Sequence, residues 1–141
     1  MPDMRLSYLA SSTVVVEDEG TEVLCDPWLL DGAFYGAWAH YPPLEFEPDA
    51  YADVDYIYVS HDDPDHFHQP TMRQLDTDTP VLVPEDASRL TRAVEELGFE
   101  AIELGNDDRT QLADDLYVTL FDGAGDDSRT GGDHVAPGWR P

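Results

Sequence analysis

A mixed α/β fold is expected from three features of the sequence. A β-branched run near the start is flanked by turn residues. A strand in the middle breaks into a loop dense in histidine and aspartate and resumes as a helix. The second half carries one strongly amphipathic helical segment.

Taken in order, residues 5–10 and 13–17 read as strands, the second through the run Val14, Val15 and Val16. Asp18-Glu19-Gly20 is a turn and residues 22–26 return as a third strand, making an antiparallel meander. Residues 27–48 hold Trp28, Phe34, Tyr35, Trp38, Tyr41 and Phe46 among Gly32, Gly36, Pro42 and Pro43. That is an aromatic loop, either packed over the core edge or forming a pocket wall. Residues 54–60 are the next strand, and Gln69-Pro70 opens a helix to about Leu75, with proline in the first turn. Residues 81–83 form a short buried strand. Residues 85–97 are the clearest helix, with an apolar stripe of Ala87, Leu90, Val94 and Leu97 and a stop at Gly98. Residues 99–104 and 116–121 are strands joined through Gly105-Asn106-Asp107. The pattern stops there, so residues 1–125 are expected to be the domain and 126–141 an irregular tail.

The charge bounds the partners. The 141 residues include 31 acidic and 7 basic side chains, for a net charge of −24; every basic residue is Arg. Such a surface repels nucleic acid and anionic membrane, and neither is expected as a partner. Acid enrichment without lysine resembles the proteins of salt-loving microbes, where a Debye length of roughly 3 Å screens self-repulsion. Cys25 is the single cysteine, which excludes an internal disulfide and a cysteine-ligated iron–sulfur cluster held by this chain alone. No signal peptide or apolar run of ~20 residues is visible, so a soluble cytoplasmic protein is expected.

The segment VSHDDPDHFH, residues 59–68, carries three His and three Asp at a strand end. In an extended segment, positions i, i+2 and i+4 share one side, which would bring His61, Asp63 and Asp65 together. His66 would approach from the other side. Imidazole with carboxylate suits Zn, Fe or Mn rather than Ca. One or two divalent ions are expected, a pair lying about 3.5–4 Å apart. His68 and His40 are assigned to packing or a supporting role, and the other acidic runs to the surface.

His61-x-Asp63-x-Asp65-His66 after an apolar strand resembles the metallo-β-lactamase-fold signature H-x-H-x-D-H. Cys25-Asp26-Pro27-Trp28-Leu29, Ala33-Phe34, Trp38, Pro70-Thr71 and Leu120-Phe121-Asp122-Gly123 resemble the CMP-N-acetylneuraminate hydroxylase-like subgroup. The similarity runs over residues 5–128, the N-terminal half of that family's domain. It implies the N-terminal half of an αββα sandwich. It also implies a first metal position at His61 and Asp63, and a second at Asp65 and His66. Asp65 would orient the attacking water, and Asp127 is the best-placed further ligand, ahead of Asp126 and His134. Position 63 is Asp where the signature has His, which makes the first position harder and shifts preference from Zn toward Fe or Mn.

Three functions follow as expectations. The first is a metal-dependent hydrolase that uses a metal-bound hydroxide on a small-molecule substrate, with Asp65 as the catalytic residue. The second is a non-heme-iron oxygenase-like protein, for which His61, His66 and one carboxylate supply the ligand set. The third is a truncated, non-catalytic fragment. Half a sandwich exposes a sheet face, so a homodimer or a complementing chain is expected to cover it.

Overall fold

The computed structural model describes residues 3–45 and 47–121. Asp126, Asp127, His134 and the expected boundary at residue 125 lie outside them.

The expected meander forms. Strands β1 (Arg5–Ala10), β2 (Thr13–Asp18) and β3 (Thr21–Cys25) pair antiparallel in sequence order. The two-residue β2–β3 turn holds Glu19 at φ 47° and Gly20 at φ 87°. Two positive φ values in succession match the natural twist of a hairpin. Three parallel strands follow, β4 (Tyr56–Tyr58), β5 (Val81–Pro84) and β6 (Ala101–Leu104), to give one sheet in the order β1-β2-β3-β4-β5-β6. Helix α1 (Gln69–Met72) lies on the β4–β5 crossover, and α2 (Ser88–Glu96) on the β5–β6 crossover.

Several boundaries differ from the sequence expectation. Of residues 54–60 only Tyr56–Tyr58 form strand, and of these Ile57 and Tyr58 are laddered on both sides. The helix expected from residue 85 begins at Ser88 because the Glu85 N–H donates to the Leu104 carbonyl at 2.9 Å and so extends the sheet. The connection expected through residues 105–107 holds a further strand, β7 (Arg109–Gln111), which pairs antiparallel with β8 (Tyr117–Thr119). Its RTQ sequence has no apolar residue, so it carries no strand signal of its own.

The core lies on one face of the sheet. Leu24, Ile57, Val81 and Val83 pack against Met72 of α1 and Leu90 and Val94 of α2. Each such side chain contributes roughly 1.5–3 kcal/mol by leaving water. On the opposite face Leu82 and Leu104 are buried, and the Tyr56 hydroxyl donates to the Leu112 carbonyl at 3.0 Å. The β7–β8 connection therefore begins a second layer there. Beyond it, Leu6 and Tyr8 on β1 stay 66% and 67% exposed. Among the described residues no helix is long and apolar enough to cross a membrane.

Candidate metal centre

The site forms where two parallel strands end side by side. Cys25 lies opposite Tyr58, and the Asp26 N–H donates to the Tyr58 carbonyl at 2.8 Å. Asp26 therefore sits next to Ser60 at the carboxyl ends of adjacent strands, the usual position for a site on a parallel sheet. Asp26 has φ 46°, a left-handed conformation that Asp tolerates better than most side chains. The fully buried Thr13 clamps this exit: its hydroxyl donates to the Asp26 carbonyl at 2.8 Å and accepts from the Trp28 N–H at 3.0 Å.

The Asp26 carboxylate is held on both oxygens. Oδ1 accepts from the Ser60 N–H at 2.7 Å, and Oδ2 lies 2.8 Å from both Ser60 Oγ and His66 Nδ1. Ser60 Oγ is also 2.8 Å from His61 Nδ1. Sequence reading had Asp26 only as part of a resemblance and did not single out Ser60. The signal that marks them is shared: each lies within two residues of the end of a strand.

The loop is not extended, which corrects the expected convergence of His61, Asp63 and Asp65. The N–H groups of His66 and Phe67 both donate to the Asp63 carbonyl, at 2.9 and 2.8 Å, so the chain turns tightly around Pro64. The turn sorts the four groups into two pairs. His61 Nε2 lies 3.2 Å from Asp63 Oδ2, and His66 Nε2 lies 3.4 Å from Asp65 Oδ2. The two imidazoles lie against each other, with ring centroids 3.9 Å apart and a 42° tilt. Asp62 points away, to Arg89 at 3.6 Å.

Electrostatics make this a cation-seeking arrangement. Burial lowers the pKa of His66, but the hydrogen bond to Asp26 and the charges of Asp26, Asp65 and Asp63 outweigh it and hold the imidazole above its ordinary value. His61 Nε2 is buried and makes no hydrogen bond, although the Asp63 carboxylate is in ion-pair range. A buried nitrogen that faces a carboxylate without forming a hydrogen bond is what a cation would reconcile, and the nitrogen–oxygen donor set fits a borderline or hard divalent metal. Among the described residues no three His, Cys, Asp or Glu groups surround a single point. The fit is two half-sites, His61 with Asp63 and His66 with Asp65. Asp127, expected as a further ligand, lies outside the described residues.

The other two described histidines, His40 and His68, sit in packing contacts. His68 is buried, and its Nδ1 lies 2.8 Å from Thr71 Oγ1, which also accepts from the Leu29 N–H at 3.1 Å. Burial, then the neighbouring His40, lowers the His68 pKa. His40 stacks on Trp28 at 4.1 Å. These contacts fasten the start of the aromatic loop to α1. Further along, Ala33 and Trp38 pair as an isolated bridge, while Tyr35 and Tyr41 are fully exposed. Burial, then the Asp26 charge, pushes the Cys25 thiol up to about 12, so it stays protonated near neutral pH and offers no thiolate ligand.

A family model described as the beta-lactamase superfamily domain matches residues 21–139. A Mycolicibacterium smegmatis protein named as a Rieske 2Fe-2S iron-sulfur protein is 34% identical over 99 residues, covering 68% of this chain and 19% of its own length. The cytidine monophosphate-N-acetylneuraminic acid hydroxylase of Asterias rubens is 27% identical over 103 residues, covering 70% and 16%. Among solved structures, an isothiocyanate hydrolase from Delia radicum gut bacteria superposes with a TM-score of 0.62 at 20% identity, over 79% of this chain and 45% of that one. CmlA, a diiron β-hydroxylase from Streptomyces venezuelae, gives 0.54 at 21% identity, over 77% and 22%. At these identities the structures show a shared fold. This chain spans less than a fifth of either curated relative.

Proposed function

The chain belongs to the β-lactamase superfamily, and from that membership we propose a metal-dependent hydrolase acting on a small ester, amide or phosphoester. The observation that carries the reading is the orphaned His61 Nε2 facing the Asp63 carboxylate, with His66 and Asp65 repeating the pairing beside it. His61 and Asp63 would hold one cation position, and His66 and Asp65 the other. A divalent cation there supplies Lewis acidity toward the substrate oxygen and lowers the pKa of a coordinated water.

The chain's own residues supply the rest. Asp26 anchors His66 and keeps its Nε2 turned toward Asp65. Asp65, only 17% exposed at its side chain, is the group placed to accept a proton from the attacking water. Its carbonyl lies 3.5 Å from the Ser12 hydroxyl in the β1–β2 turn. Asp63 adds negative charge to the first position and favours Fe or Mn over Zn there. The field of a −24 chain disfavours anionic substrates unless salt screens it.

The test is the metal content of protein purified at high salt, with esterase and phosphodiesterase assays, against an Asp65→Ala, His66→Ala double variant. Bound Zn, Fe or Mn in the parent and its loss in the variant supports the reading. Equal metal in both ends it. The similarity to a sialic-acid hydroxylase supports a second reading, a non-heme-iron oxygenase with the same two histidines and a carboxylate. Substrate-dependent dioxygen consumption by iron-loaded protein with a supplied reductant separates the two.

A further inference from the structure

We propose that Ser60 is a positioning residue that fixes the ring tautomer of His61, so that the single carboxylate of Asp26 orients both histidines of the cluster. The inference concerns the same cluster as the hydrolase reading and rests on that reading for its purpose.

Asp26 Oδ2 has two neighbours at 2.8 Å, His66 Nδ1 and Ser60 Oγ, while Oδ1 is taken by the Ser60 N–H at 2.7 Å. An ionised carboxylate only accepts, so the His66 ring donates from Nδ1 and the Ser60 hydroxyl donates from Oγ. A serine hydroxyl has one proton. Once it is given to Asp26, Oγ can only accept from its other neighbour, His61 Nδ1 at 2.8 Å. The 3.5 Å separation of Ser60 Oγ from His66 Nδ1 is too long to compete. The chain of donation therefore runs His61 Nδ1–H to Ser60 Oγ–H to Asp26, with His66 Nδ1–H joining at the same carboxylate oxygen.

Both neutral rings then carry their proton on Nδ1 and present a bare Nε2. For His66 this follows from direct contact with Asp26. For His61 it follows only through Ser60. The same count agrees with the buried His61 Nε2, which makes no hydrogen bond although Asp63 Oδ2 lies 3.2 Å away. A bare Nε2 is what a cation requires, and partners that hold a ligand's other nitrogen set both its tautomer and its basicity.

The experiment reads the tautomer directly in metal-free protein. Ring nitrogen shifts of His61 and His66 are recorded by 15N NMR at about pH 9, well above the ordinary imidazole value. The parent should show both histidines protonated at Nδ1. Ser60→Ala removes the acceptor and should move His61, but not His66, to the Nε2–H form, which can then donate to Asp63. Ser60→Thr keeps the hydroxyl and should restore the parent pattern. In parallel, calorimetric titration with Mn or Zn should show affinity weakened roughly 10–100-fold in Ser60→Ala and recovered in Ser60→Thr. The proposal is overturned by His61 already in the Nε2–H form in the parent, a reading that needs no variant to fold. It is also overturned if His61 stays Nδ1–H in Ser60→Ala. Absence of metal uptake by the parent sinks the hydrolase reading, while the tautomers still decide for or against Ser60.

Discussion

Asp26→Asn tests the centre of the network with little disturbance of shape. Asn tolerates the left-handed φ of 46° at this position as readily as Asp does. Its amide keeps one acceptor oxygen where the carboxylate had two. Either the Ser60 N–H, at 2.7 Å, or the pair formed by Ser60 Oγ and His66 Nδ1, each at 2.8 Å, must then face an NH2 group. Losing a hydrogen bond to an ionised group and stranding a buried donor together cost roughly 2–4 kcal/mol. At about 3–5 °C per kcal/mol for a chain of this length, the midpoint should fall by roughly 6–20 °C. The loss should depend on pH. His66 has a folded pKa raised above its unfolded value. The stability it contributes is fully present below about 6.5 and disappears as pH rises through the raised value. The gap between parent and variant should therefore be widest in mild acid and narrow toward alkaline pH. Thermal melts in chelator, at constant high salt from about pH 5.5 to 9, measure it. Equal midpoints, or a gap that widens with pH, would refute the assignment of Asp26 as the partner of His66.

Three further outcomes are expected. Thr71→Val removes the hydroxyl shared by His68 Nδ1 and the Leu29 N–H; it should cost about 1–3 kcal/mol in a denaturant melt and leave metal content unchanged. Gly98→Ala at φ 95° has room for the methyl, whose nearest neighbour would be Thr77 Cγ2 at 3.7 Å, so its cost should be the backbone penalty alone, roughly 1–2 kcal/mol by the same assay. Divalent metal at about 100 times its dissociation constant should stabilise the parent by about 2.7 kcal/mol in differential scanning calorimetry, and a His61→Ala, Asp63→Ala variant by visibly less.

The meander, the amphipathic helix and the strand–loop–helix around residue 60 were legible because each has its own periodicity or turn chemistry. Strand β7 was not, since Arg109, Thr110 and Gln111 have no apolar face and gain their structure from pairing with β8. The cluster's composition raises the expectation of a cation site, but its internal geometry differs from the extended one expected. Extended spacing would align His61, Asp63 and Asp65, whereas two backbone hydrogen bonds to the Asp63 carbonyl curl the loop and pair each His with one Asp. Asp26 and Ser60 lie 34 residues apart in sequence. Their meeting depends on which strands become neighbours, which no local pattern states.

Parallel pairing of β3 with β4 has a consequence of its own. Side chains alternate between sheet faces, so sliding one strand by a single residue exchanges its faces. Such a slip would leave Asp26 level with the wrong neighbour and part its carboxylate from Ser60, and with Ser60 from the proton arrangement of both histidines. The cluster is thus a gauge of alignment, built across the seam between the antiparallel and parallel parts of the sheet. Chains whose seam has closed one step out would keep much of their secondary structure, and the curl of the loop with it, but lose the carboxylate that anchors His66 and Ser60.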